Sequence, residues 1–179
     1  ADNHYSRAKD LESNGHEGAE VMVLGLHVNS EAIVRYLEKK WPELLGKILF
    51  IDFNVDKHKQ RRFSKLRLAY GDFSNPDTLR YYGIEHAKVV VTTLNNAFQH
   101  GIRNEDLISE IKKLNPSAKI ITTCLSSEQS ESLLERGAYA CISTPDESAP
   151  AYTRAILDAI EASTPESKPD DKPAPAIES

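Results

Sequence analysis

VMVLGLHVNS, residues 21–30, decides the fold. Val21 to Leu24 make a short run rich in β-branched and aliphatic side chains, which suits a strand buried on both faces. Gly25 then permits a sharp turn. Ser30 can cap a helix whose Ile33, Val34, Leu37 and Trp41 share one face before Pro42 stops it. A strand, a glycine turn and an amphipathic helix are the opening half of a βαβ unit.

The same alternation continues outward. Further strands are predicted at Ile48 to Phe53, Arg67 to Tyr70, Lys88 to Thr93, Lys119 to Cys124 and Tyr139 to Ser143. Between them fall amphipathic stretches. A second helix is expected from Asp56 to Phe63. Ser74 or Asn75 caps a third, with Pro76 near its start and Gly83 at its end. The fourth carries Leu107, Ile108, Ile111 and Leu114 before Asn115-Pro116, the fifth runs from Ser127 to Arg136, and the sixth from Pro150 to Ala162. Strands and helices in strict alternation predict a doubly wound, Rossmann-like α/β fold, a six-stranded parallel sheet in three layers.

This domain is expected to span residues 20–162. Residues 1–19 are polar, with Gly15 and Gly18, and read as a linker that cannot bury enough surface to fold alone. Residues 163–179 repeat prolines among charges and read as a disordered tail. No stretch approaches the roughly 18 consecutive apolar residues of a membrane-spanning helix. The net charge of -5 argues against a nucleic-acid partner, which calls for a basic field. Cys124 and Cys141 fall in separate strands without metal-ligand spacing and are expected to be buried, reduced thiols. The six histidines show no paired spacing, so no metal site is expected.

In such sheets the ligand lies beyond the carboxyl ends of the strands, near the switch in strand order. The first turn, Gly25 to Ser30 with Val28 and Asn29 inside it, occupies the place of a Gly-x-Gly-x-x-Gly dinucleotide fingerprint. Only the first glycine is present. His27 stands at the second glycine position and Ser30 at the third, which adds side chains where a pyrophosphate would press on the main chain. The helix amino terminus still offers free N–H groups to a single phosphate. The alternative is a purely structural strand-to-helix turn. His27, at a helix amino terminus, is a candidate reporter of phosphate or pH.

Asp52, followed by Phe53, ends the second strand where an acidic residue accepts ribose hydroxyls in this fold; the alternative is a helix cap, for which Asn54 and Asp56 are better placed. Gly71 gives a tight turn after the third strand, and Asp72 with the Phe73 backbone is placed to meet an adenine edge, against the alternative of capping. Thr92 and Thr93 end the fourth strand with hydroxyls available to a phosphate.

Six segments carry a more specific resemblance: VMVLG (21–25), LFID (49–52), YGDFSNPDTL (70–79), GIEHAKVVVTT (83–93), LNPSAKII (114–121) and LERGA (134–138). In this order and spacing the chain resembles the nucleotide-binding half of the RCK family, also called the TrkA N-terminal domain, which regulates potassium channels and transporters. The Gly71-Asp72 segment running to Leu79, followed by GIE-x-A from Gly83, discriminates best, since generic dehydrogenases lack it. The Asp52-Phe53-Asn54 sequence and His27 resemble the version fused behind cation/proton antiporter membrane domains.

The resemblance implies an adenine nucleotide in the cleft, with Asp52 on ribose and Asp72 near adenine, and a homodimer. It implies a regulatory role at the cytoplasmic face of a membrane, beside a transmembrane transporter domain. The departure from the glycine pattern favours AMP, with ADP, ATP or NAD as the other ligands. Tyr152 and Ile156 on the sixth helix are candidate dimer contacts, and nothing folded is expected after Ala162, so the family's second subdomain is not expected here.

Two other readings compete. An NAD-dependent oxidoreductase needs a further set of residues to hold and protonate a substrate, and the Tyr36/Lys40 and Tyr5/Lys9 pairs lie far from the strand ends. A docking scaffold would have lost its ligand altogether. The basic run Lys57 to Arg62 reads as a solvated face on a short surface helix.

Overall fold

A computed structural model of the chain describes residues 19–94 and 102–144, together with positions 146, 147 and 153. Its strands are β1 (Val21–Leu24), β2 (Ile48–Asp52), β3 (Arg67–Tyr70), β4 (Val89–Thr92), β5 (Lys119–Cys124) and β6 (Ala140–Ser143). Its helices are α1 (Val28–Lys40), α2 (Pro42–Leu45), α3 (Val55–His58), α4 (Pro76–Tyr81), α5 (Asn104–Leu114) and α6 (Ser127–Glu135), with 3-10 turns at Arg61–Phe63 and Ile84–His86. Residues 145–179 form a separate unit. The expected linker, sixth helix and tail, with Tyr152 and Ile156, lie outside the described residues apart from Ala19 and Thr153, which is helical.

All five strand pairings are parallel, in the order β3-β2-β1-β4-β5-β6. β1 therefore lies between β2 and β4, and strand order reverses beside it. Side chains alternate across the pleat. Met22, Leu24, Ile51, Val90 and Ile120 face a core closed by Leu79 of α4, Leu107, Ile108 and Ile111 of α5, and Leu133 of α6. Val23, Phe50 and Leu68 face a second core, closed by Val34 and Leu37 of α1, Leu45 of α2 and Phe63. Two helical layers thus enclose the sheet, the Rossmann-like arrangement expected from the alternation.

Local chemistry accounts for the element ends. Asn75 caps α4, its Oδ1 accepting from Asp77 N–H at 2.9 Å, with Pro76 at the first helical position. Gly83 follows with φ 80°, a left-handed stop. Asn115 ends α5 and is 3% exposed. Its Nδ2 donates to the carbonyls of Ile84 and Ala87, both at 2.8 Å, which binds the end of α5 to the turn before β4.

Several boundaries differ from the sequence expectation. α1 begins at Val28, with His27 at the cap position, because the Ser30 hydroxyl lies inside the first turn. Pro42 ends α1 but also opens one new turn, where its missing N–H costs nothing. The expected Asp56 to Phe63 helix is broken at Gln60, which is extended. Its single deep anchor, Phe63, turns down into the core as a 3-10 turn, and no 3.6-residue apolar stripe holds the rest in line. Among the described residues no helix is long and apolar enough to cross a membrane.

Candidate functional site

At the carboxyl ends of β1 and β2 lies a cleft of about 300 Å³, lined by His27, Val28, Glu31, Asp52, Phe53, Asn54 and Lys57. Such a volume stands at the small end of ligand pockets. Two loops form its walls: the turn between β1 and α1, and the segment from β2 into α3.

Gly25 has φ 85°, which an L side chain adopts only with strain. Its N–H donates to the Ile51 carbonyl at 2.8 Å, fastening the turn to β2. A Cβ on Gly25 would stand 2.4 Å from His27 Nε2, so the imidazole folds back over the glycine. Ser30, fully buried, accepts the His27 N–H at 2.7 Å and donates to the Gly25 carbonyl at 2.9 Å. The serine is small enough for the close helix-to-strand contact that the third fingerprint glycine permits, and its hydroxyl holds the turn shut. Val28 is 79% exposed at the rim, and Asn29 is half-buried.

Asp52 is a hub. One carboxylate oxygen accepts from Leu26 N–H at 2.6 Å and the other from Asn54 N–H at 2.7 Å. Its carbonyl accepts from Gly71 N–H at 3.2 Å, so one residue joins the tips of β1, β2 and β3. Although it lines the cleft, it is only 1% exposed. A carboxylate has about four lone-pair positions, so two main-chain donors leave acceptor capacity for a ligand hydroxyl.

Lys57 spans the cleft. Its ammonium donates to the Leu26 carbonyl and lies 2.8 Å from Glu31 Oε1, while Arg62 Nη1 lies 3.1 Å from Glu31 Oε2. The Lys57 and Glu31 side chains are 17% and 14% exposed. Burial pulls the Glu31 carboxyl up, but the Lys57 hydrogen bond and the charges of Lys57, Arg62 and Arg35 outweigh it and hold the group below the usual carboxylate range. The basic run is therefore not simply a solvated face: Lys57 turns into the cleft, and Arg62 pairs with Glu31 and covers the Phe63 ring at 4.4 Å. Glu31 and Lys57 had no local signature. Their contact spans 26 residues and exists only when α1 and the segment after β2 come together at the strand tips.

The remaining candidates surround this cleft without lining it. Asp72 is exposed, and its Oδ1 accepts from both the N–H and the hydroxyl of Ser74, at 2.9 and 2.6 Å. Gly71 allows a close approach, since a Cβ there would meet Thr78 at 2.6 Å. Phe73 is 2% exposed and packs in the core. At the β4 tip Thr92 is fully buried with its hydroxyl 3.4 Å from Asn104 Oδ1, and the Thr93 hydroxyl has no hydrogen-bond partner among the described residues. Cys124 is buried and Cys141 half-buried; both are free thiols. Among the described residues no three His, Cys, Asp or Glu side chains converge as metal ligands.

The model of the TrkA-N domain matches residues 21–144, more than half of the chain. The chain belongs to the TrkA-N domain family. No curated protein matches the sequence. Among solved structures, the chain is similar to the TrkA-N domain of the inner membrane protein ybaL from Escherichia coli. The two are 16% identical with a TM-score of 0.62, over 81% of this chain and 98% of that one. It is similar to GsuK bound to ADP at 15% identity and TM-score 0.59, over 72% of this chain and 32% of that one. A third match is the Shewanella denitrificans Kef CTD in its AMP-bound form, 16% identical with TM-score 0.51, over 82% of each chain. At these identities the likeness concerns the fold. This TrkA-N domain departs from a dinucleotide turn at His27 and Ser30, the two places where its own side chains close the loop.

Proposed function

We propose that this chain is a regulatory domain that binds an adenine nucleotide, AMP in preference to ADP, ATP or NAD, and couples its binding to a monovalent-cation transporter or cation/proton antiporter. The observation that carries the reading is the small cleft at the β1 and β2 tips, beside the reversal of strand order, with Asp52 at its base. The ribose hydroxyls meet the free lone pairs of Asp52. The exposed Asp72, two residues beyond β3, is assigned to the adenine edge. The phosphate approaches the α1 amino terminus and Lys57, which exchanges the Glu31 carboxylate for it. With the His27 imidazole over Gly25, a single phosphate fits this turn better than a pyrophosphate. AMP-bound Kef CTD and ADP-bound GsuK are relatives in fold whose ligands agree with this class.

The domain works by binding rather than by catalysis. Nucleotide binding shifts the balance between two arrangements of a homodimer at the cytoplasmic face of the membrane, and so biases the transport path. Calorimetry of the whole chain with AMP, ADP, ATP, NAD and NADH tests the reading. AMP is expected to give the strongest binding, with Lys57→Gln and Asp72→Ala each weakening it. Heat from none of the five would overturn it. One observation favours a second reading, a ligand-free docking scaffold: Lys57 and His27 already fill part of the cleft. That silent result would be its support.

A further inference from the structure

We infer that the edge of the sheet where the strands begin carries a docking surface for an anionic lipid bilayer, centred on Trp41. The inference does not depend on the proposed ligand. α1 runs back against the strand direction for 13 residues, so its carboxyl end lies roughly 20 Å from the cleft at the opposite edge. Both surfaces can be engaged at once.

Three large apolar side chains stand in solvent there: Tyr36, Trp41 and Leu44, which are 56%, 53% and 42% exposed. The Tyr36 and Trp41 rings pack on each other at 5.8 Å, which joins the two aromatic side chains into one apolar surface. Lys39 and Lys40 follow Tyr36 by three and four residues and share its helical face, and Lys47 follows α2. None of the ion pairs among the described residues includes these three lysines, whereas Lys57, Lys88 and Lys113 are all matched. Glu38 and Glu43 in the same segment reduce this charge, and Lys47 also acts on Glu20, which pairs with Lys88, so the attraction rests mainly on Lys39 and Lys40.

The Lys39 and Lys40 ammonium groups, held in no ion pair among the described residues and set beside an exposed tryptophan and tyrosine, are what an interfacial anchor requires. The rings lie at headgroup depth, and the lysine stems extend along them so that the charges reach lipid phosphates. Aromatic rings are common at protein–protein contacts but lysine is depleted there, so it is the flanking lysines that favour lipid over a protein partner. Because the whole chain carries -5, the attraction is local and short-ranged, so it weakens with salt.

Trp41 is the only tryptophan, so its emission reports on this surface alone. The 179-residue chain is titrated with phosphatidylcholine vesicles with and without phosphatidylglycerol, and with brominated acyl chains. With the anionic vesicles, Trp41 emission should shift to the blue and be quenched by bromine, the protein should sediment with lipid, and added salt should reverse both. Lys39→Gln with Lys40→Gln should lower the partition coefficient by at least about tenfold, while circular dichroism confirms an unchanged fold. An unshifted Trp41 overturns the proposal. So does vesicle binding that leaves Trp41 unquenched or ignores the double substitution, and so does a self-associated form that buries Trp41 while the vesicles stay bare.

Discussion

Asp52 shows how one residue can be both a structural tie and a ligand candidate. Asp52→Ala leaves the buried Leu26 N–H and the half-buried Asn54 N–H without acceptors, which should cost about 2–3 kcal/mol in urea unfolding. Loss of nucleotide binding in that variant would therefore say little, and Lys57→Gln is the cleaner test of the site. Gly25→Ala should cost at least about 1–2 kcal/mol from its positive φ alone, with the contact to His27 added. The informative partner is His27→Gly. It removes the imidazole from the turn, so calorimetry should show NAD gaining affinity relative to AMP; an unchanged ratio would mean that His27 does not select the ligand. The Cys141 thiol is pushed up to about 11 by burial and by the Cys124 hydrogen bond, partly offset by Ser130. At pH 8 its thiolate fraction is on the order of a thousandth, so folded protein should react with a disulfide reagent far more slowly than urea-unfolded chain.

Between elements, the Glu31–Lys57–Arg62 cluster joins α1 to α3 and the following turn. Glu31 titrates lower in the folded chain than its ordinary 4.5, so at acid pH the unfolded state takes up the proton first. The stabilisation is present above pH 4.5 and is lost as pH falls through the folded value. Glu31→Gln should flatten the acid limb of a Tm-against-pH curve while changing its neutral part by a nearly constant offset. An acid limb identical to wild type would show that the cluster contributes nothing there. On the opposite layer, Asn115→Ala removes the donors to Ile84 and Ala87 and the acceptor for Ala118 N–H, and should cost about 2–3 kcal/mol. Hydrogen exchange should then rise in the turn before β4 more than in α1.

At the scale of the molecule, the parallel sheet separates two working edges. Strand tips and helix amino termini gather Asp52, Glu31 and the N–H groups of the first turn at one edge. Helix carboxyl termini bring Lys39, Lys40 and Trp41 to the other. Saturation with AMP at a hundred times its dissociation constant should stabilise the domain by about 2.7 kcal/mol, measured as a shift in the urea midpoint. The same addition should leave Trp41 emission nearly unchanged, since the fluorophore lies at the far edge.

The sequence by itself determined the alternation of strands and helices, a cap at Ser74 or Asn75 with a stop at Gly83, and the altered fingerprint at Gly25, His27 and Ser30. These are local matters of side-chain period, backbone freedom and short-range hydrogen bonding, all of which can be read over a few residues. The break at Gln60 escaped it because Phe63 follows the core rather than the helix. Only the tertiary structure decided that Asp52 accepts main-chain N–H groups from two loops, that His27 closes over Gly25, and that Lys57 leaves a basic surface run to meet Glu31. The Leu26–Asp52 and Glu31–Lys57 contacts each span 26 residues and are made when βαβ units dock, which depends on burial across the whole sheet and is contained in no single stretch of residues.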